Sequence, residues 1–206
     1  MNIIFDFDGT IADTLEVMME IYKDLQSDAP EPTPAEVLRL RGMSLLHVMR
    51  ELKVRPWKVP FLVAHGRKRL RKRMPQVEVF AGIPEATHDL VAAGHRLFIM
   101  SSNSVQNIRY LLHKYDMNTE FIKIYGGVGV FGKARVLRRV LRQNRLEAHD
   151  TWYVGDEVRD IEAAQAVGVR VAAVAWGYNT PEVLRSHAPD CLLASPKELM
   201  KTLTAK

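Results

Sequence analysis

The sequence predicts an α/β fold: a parallel sheet covered by helices on both faces, with a small all-helical insert after the first strand. Three observations carry this. From about residue 77 onward, short apolar runs alternate with segments of helical period, the pattern of β–α crossovers. Between 15 and 75 the apolar spacing is helical and nothing alternates like a strand for long. Three apolar runs end in polar clusters: Asp6 and Asp8, then Ser101-Ser102-Asn103, then Asp156-Glu157. Right-handed crossovers give a three-layer, Rossmann-like sheet, where ligands bind beyond the carboxyl ends of the strands.

The first fourteen residues set the frame. Ile3 to Phe5 is an apolar run feeding Asp6-Phe7-Asp8-Gly9-Thr10, a buried strand ending in a tight loop. Two carboxylates at the end of a buried strand need positive charge beside them, and Mg2+ suits oxygen ligands alone. Leu15, Met18, Met19, Tyr22 and Leu25 then predict a helix to about Gln26. Pro30, Pro32 and Pro34 mark a connector, with Thr33 as N-cap and Pro34 opening the next helix. Leu45, Val48, Met49 and Leu52 form another apolar stripe, and a further helix is expected over 59–72. The insert is expected at 15–78, with the core formed by 1–14 and 79–206.

Beyond it, helices are expected over 84–93, 106–114, 133–143, 158–167, 181–187 and 196–203. Strands are expected over 96–100, 121–125, 151–154, 169–174 and 190–193. Gly94 and Gly168 close two of the helices.

Composition narrows the function classes. The 206 residues are 47% hydrophobic and 26% charged, one large domain or a core with an insert. No window approaches about 18 consecutive apolar residues, so no membrane span or membrane partner is expected. The N-terminus lacks the basic and apolar regions of a signal peptide. The single cysteine, Cys191, excludes an intrachain disulfide and fits a reducing, cytoplasmic setting. Net charge is +5, much of it in Arg67-Lys68-Arg69-Leu70-Arg71-Lys72-Arg73. No aromatic residues interleave that run and no nucleic-acid motif is present. A solvated helix face is expected there rather than a nucleic-acid partner.

The three clusters match the needs of phosphoryl transfer. One carboxylate can attack phosphorus, and a second, two residues on, can serve as acid and then base. Ser101 and the following amide offer donors at a helix start. Lys133 follows Gly132 and can reach in from another direction, and Asp156 is a third carboxylate for a cation. Asp160 lies one helical turn on and can buttress it.

Asp6-Phe7-Asp8-Gly9-Thr10, Ser101 after an apolar strand, Gly132-Lys133, and Gly155-Asp156 with Asp160 resemble the four ordered motifs of the haloacid dehalogenase superfamily. The insert resembles that superfamily's C1-type cap. The segment 155–164 and Ala175-Trp176-Gly177-Tyr178 resemble its phosphoglycolate phosphatase-like branch. The resemblance implies Asp6 as nucleophile and metal ligand, and Asp8 as general acid/base with its backbone carbonyl on Mg2+. It implies that Thr10 positions Asp8, and that Thr10, Ser101, Ser102, Asn103 and Lys133 form the phosphate-binding set, with either serine as the main hydroxyl. Asp156 would complete the metal site, with Glu157 or Asp160 supporting it. Arg41 and Gly42 resemble the cap loop that dips into the active site, where Arg41 could meet a second anionic group of the substrate.

The expected function is a Mg2+-dependent phosphatase acting on a small phosphorylated metabolite, phosphoglycolate foremost, as a monomer or homodimer. A sugar or nucleotide phosphatase and a phosphomutase are alternatives within the class. A binding or regulatory protein on a phosphatase scaffold is the rival from outside it.

Overall fold

A computed structural model describes residues 1–17, 19–20, 33–43, 47, 50, 55, 57, 59–129 and 132–204. Six parallel strands form the main sheet: β1 (Asn2–Phe5), β4 (Arg96–Met100), β5 (Phe121–Tyr125), β6 (Thr151–Gly155), β7 (Arg170–Val174) and β8 (Cys191–Leu193). Their order is β5-β4-β1-β6-β7-β8. The chain winds outward from β1 to β4 and β5, then restarts on the other side of β1 with β6. That reversal makes the carboxyl ends of β1, β4 and β6 the switch point where a ligand crevice forms.

Strand alternation divides the core between the two faces. Ile3 and Phe5 pack on one face with Leu97, Ile99, Trp152 and Val154. Ile4 points to the other, with Phe98, Met100, Tyr153 and Val171. On the first face lie α3 (Ile83–Ala92), α4 (Val105–Lys114) and α8 (Glu198–Thr204), through Ile83, Leu90, Ile108, Leu111, Leu199 and Leu203. On the second lie α5 (Lys133–Asn144), α6 (Val158–Gln165) and α7 (Pro181–Ser186), through Leu137, Val140, Ile161 and Leu184. Both faces of β1 are covered, so Ile3, Ile4 and Phe5 are apolar without alternation. Fully burying Phe5 alone is worth about 1.5–3 kcal/mol.

A two-stranded antiparallel pair was not expected. β2 (Ala12–Asp13) pairs with β3 (Glu78–Val79), Ala12 opposite Val79. Each strand is two residues long, too short to leave a period in the sequence. The pair brings the start and end of the intervening stretch to one place.

Within that stretch, 15–17 and 19–20 are helical. α1 (Pro34–Arg41) opens as expected: Thr33 Oγ1 accepts from the Glu36 amide at 3.3 Å, while the Thr33 amide donates to the Glu36 carboxylate at 2.7 Å. α2 (Val59–Arg73) carries the basic run and seats Leu70 in the core. Met18, Tyr22 and Leu25, the connector up to Pro32, and the stripe of Leu45, Val48, Met49 and Leu52 lie outside the described residues.

Candidate active site

β1 delivers Asp6, which is buried, and then turns sharply. Gly9 has φ +79°, a left-handed conformation that favours glycine, and its amide donates to the Ala12 carbonyl at 2.9 Å. The turn carries Asp8 and Thr10 on the same side as the ends of β4 and β6.

Asp6 is tied at both oxygens. The Phe7 amide donates to Oδ1 at 2.8 Å, and Lys133 Nζ donates to Oδ2 at 2.7 Å. Lys133 opens α5 after Gly132 and is itself buried. Its ammonium also pairs with Asp160. Burial alone would push the Lys133 pKa down, but Asp160 and Asp6 more than reverse this and hold it above its ordinary value.

Asp8 faces the β4 loop. Asn103 Nδ2 donates to its Oδ1 at 2.9 Å, and Ser101 Oγ lies 3.4 Å from its Oδ2. Burial, then the Asp6 charge, pushes the Asp8 carboxyl up to about 7. That is the range a group needs to give and take protons near neutrality. Ser101 is the buried serine of the tandem, and its Oγ accepts from the Asn103 amide at 3.0 Å. Ser102 is half-buried beside it. Asn103, expected among the phosphate ligands, spends its side chain on Asp8 and on Asn107, whose Nδ2 donates to it at 2.9 Å.

Asp156 follows β6 and is held from two directions. Thr10 Oγ1 donates to its Oδ1 at 2.7 Å, and the Tyr178 amide donates to its Oδ2 at 2.7 Å. Thr10 therefore orients this carboxylate rather than Asp8. A Cβ on Gly9 would lie 2.1 Å from Asp156 Oδ2, and one on Gly177 would lie 2.2 Å from Asp156 Cβ. The carboxylate is clamped between two residues that must lack side chains. Burial, then Glu157, Asp6 and Asp160, hold its pKa well above the usual carboxylate range.

Asp6, Asp156 and Asp160 are all buried and offer oxygens within 4.8 Å of one another. Asp160 is pushed up to about 6 by burial, against the pull of Lys133. The Glu157 carboxylate pairs with Arg159, accepting from its Nε at 2.9 Å, while the Glu157 amide donates to Asp160 at 3.1 Å. Of the two expected supports, Asp160 is the one that joins the carboxylate group. Three buried carboxylates converging in this way form a group that could hold a metal ion.

The loop after β7 was visible in sequence only as part of the resemblance. Besides the Tyr178 amide, Trp176 Nε1 donates to the Thr10 carbonyl at 3.1 Å, and Asn179 Oδ1 accepts from the Val158 amide at 2.9 Å. Arg41 meets this loop: its Nε donates to the Tyr178 carbonyl at 3.0 Å and its Nη2 to the Gly177 carbonyl at 2.8 Å. Gly42 closes α1, its amide donating to the carbonyls of Leu38 and Arg39.

Comparison with known proteins agrees with this geometry. Residues 3–174 match the model of the haloacid dehalogenase-like hydrolases. A phosphoglycolate phosphatase of Synechococcus elongatus is 32% identical, covering 98% of this chain and 96% of its own length. A 5'-nucleotidase of Pseudomonas aeruginosa is 28% identical, covering 98% of this chain and 95% of its own. The crystal structure of a predicted phosphatase from Clostridium acetobutylicum superimposes with a TM-score of 0.83 at 19% identity, over 98% of this chain and 97% of that one. From strand order to the buried acids, this chain belongs to the haloacid dehalogenase-like hydrolase family.

Proposed function

We propose that this phosphoric monoester hydrolase acts on a small phosphorylated metabolite through an aspartyl-phosphate on Asp6. The observation that carries the mechanism is the unequal environment of the two carboxylates at the end of β1. Asp6 is held against the Lys133 ammonium at 2.7 Å, whereas Asp8 is pushed up to about 7. Asp6 is thereby held in place to attack, and Asp8 is suited to carry a proton. Asp6 attacks phosphorus and the bond from phosphorus to the ester oxygen breaks. Asp8 gives its proton to the departing oxygen. Asp8 then takes a proton from water, whose oxygen attacks phosphorus and frees Asp6 and inorganic phosphate. Ser101 and the Ser102 amide hold phosphoryl oxygens, and Lys133 opposes their charge.

Mg2+ is the cofactor that the donor set suits: hard oxygen ligands from Asp6 and Asp156, with the Asp8 backbone carbonyl, and Asp160 in support. When bound it would neutralise charge on the phosphoryl oxygens. Residues 15–78 act as a cap over a core of 1–14 and 79–206, excluding water when substrate is in place. The proposed setting is cytoplasmic, in keeping with the free thiol of Cys191. Among the described residues no helix is long and apolar enough to cross a membrane.

Phosphoglycolate is the leading substrate, supported by the relative that is 32% identical over nearly the whole chain. The test is phosphate release from p-nitrophenyl phosphate, phosphoglycolate, sugar phosphates and nucleoside 5'-monophosphates, with and without Mg2+. Mg2+-dependent turnover is expected, fastest on phosphoglycolate and lost in Asp6→Asn. Absence of metal-dependent turnover on every ester, or full activity of Asp6→Asn, overturns the proposal.

A further inference from the structure

Within the basic run of α2, Lys68, Arg71 and Lys72 are exposed, whereas Arg67, Arg69 and Arg73 are half-buried, and Arg67 is the one whose guanidinium reaches the loop after β4. It lies three residues before Leu70 of α2 and seven before Met74, which opens the 3-10 turn after that helix, both seated in the core. Its Nη2 donates to the Val128 carbonyl at 3.2 Å, and the Val128 amide donates to the Ser101 carbonyl at 3.1 Å. The guanidinium is thus fixed beside the loop that carries Ser101 and Asn103. Its backbone is tied there as well. Asn107 Nδ2 donates to the Arg67 carbonyl at 3.4 Å and to Asn103 Oδ1 at 2.9 Å, and Asn103 Nδ2 reaches Asp8.

The Arg67 Nε is buried and has no hydrogen-bond partner among the described residues. A buried, charged donor left without an acceptor is costly, and a guanidinium cannot escape by losing its proton. Desolvation pulls the Arg67 pKa down and the Asp8 charge only partly offsets it. Among the described residues, Arg67 Nε has no acceptor and Asp8 is the carboxylate that answers the guanidinium charge. Arg41, the cap arginine that the sequence favours for this task, has Nε and Nη2 engaged by the Tyr178 and Gly177 carbonyls.

We propose that Arg67 is the specificity-determining residue of the site, its guanidinium binding a second anionic group carried on the leaving-group side of the substrate. The inference rests on the phosphatase reading and names which substrates that site prefers. A carboxylate or a second phosphate supplies the same planar or multi-oxygen acceptor, and a guanidinium fork suits either.

The experiment compares kcat/KM for three esters of similar size: phosphoglycolate, ethylene glycol bisphosphate and 2-hydroxyethyl phosphate. The wild-type protein is expected to prefer one or both of the doubly anionic esters, and whichever is preferred identifies the second anion as carboxylate or phosphate. Arg67→Met keeps the stem and removes the charge. The ratio of kcat/KM on the preferred anionic ester to that on the neutral ester is expected to fall about 10- to 100-fold, mainly through KM, with Arg67→Lys restoring part of it. A purely structural role would lower all three esters alike and leave the ratio unchanged, which overturns the inference. So does a wild-type protein that shows no preference for an anionic ester, a measurement that does not depend on the variants folding. Turnover of none of the esters would instead sink the phosphatase reading itself.

Discussion

Gly177→Ala tests whether Asp156 is held in place by shape. The added methyl would lie 2.2 Å from Asp156 Cβ, 2.3 Å from the Gly9 carbonyl oxygen and 2.4 Å from Asp156 Oδ2. Ordinary carbon contacts are about 3.5–4 Å, so one side of the clamp must move by more than about 1 Å. None of the three atoms is the free end of a flexible chain. Overpacking of this kind costs about 1–3 kcal/mol of stability. The displaced carboxylate has a larger effect on activity: an error of about 1 Å in a positioned group costs about a hundredfold in rate. Urea unfolding and kcat at saturating Mg2+ measure the two effects. Gly66→Ala is the control, because a Cβ there meets nothing within 4 Å and the residue lies inside α2. It should leave kcat unchanged and raise stability by about 0.5–1 kcal/mol. If Gly177→Ala behaves like Gly66→Ala, the clamp does not hold Asp156.

Three further outcomes follow from the same atoms. The Asp8 carboxyl is raised from 3.8 to about 7, so the folded protein keeps a proton that the unfolded chain releases. Without a cation its contribution to stability is therefore lost as pH rises from about 4 to about 7, by up to roughly 4 kcal/mol; Mg2+ should raise Tm more at about pH 7.5 than at about pH 5, and equal shifts refute this. Thr10→Val deprives Asp156 Oδ1 of its 2.7 Å donor at nearly constant volume, and should cost about 1–3 kcal/mol in urea unfolding and weaken Mg2+ binding by titration. Burial, then Asp190, pushes the Cys191 thiol up to about 11, so its iodoacetamide labelling at about pH 8 should be about a hundredfold slower than in urea, as followed by mass spectrometry.

The strands that present the acids were legible because a parallel strand buried on both faces must be an apolar run, and the change to Asp6, Ser101 or Asp156 marks its end. Lys133 was legible from the glycine before it and the helix it opens. The loop from Trp176 to Asn179 was not, because what it gives is mostly backbone: the Tyr178 amide on Asp156 and the empty space at Gly177. A backbone amide leaves no signature in residue type, and a glycine does not name the atom it makes room for. Thr10 was placed in the site, but its partner is 146 residues away in the chain, so which carboxylate it serves depended on the register of β1 against β6. Arg67 was lost in a run of like charges. The missed signal was its spacing from Leu70, three residues on, which puts it on the core-facing side of α2.

The loop that grips Asp156 is also the loop that Arg41 grips, and this gives Arg41 a different task from choosing the substrate. Its guanidinium donates to the Gly177 and Tyr178 carbonyls. In return Asn179 Nδ2 donates to the Arg41 and Met43 carbonyls, both at 2.9 Å, and the Thr180 amide donates to the Arg41 carbonyl at 3.1 Å. Movement of the end of α1 therefore loads the segment whose Tyr178 amide orients Asp156. Groups that hold a metal-binding carboxylate through one intermediary typically alter metal affinity by about 10- to 100-fold when removed. Arg41→Met should accordingly weaken Mg2+ binding by about 10-fold and lower kcat/KM at limiting Mg2+ on anionic and neutral esters alike. Saturating Mg2+ should recover most of the loss. A variant that keeps its Mg2+ affinity and loses only its preference for the doubly anionic esters would return substrate choice to Arg41 and take it from Arg67.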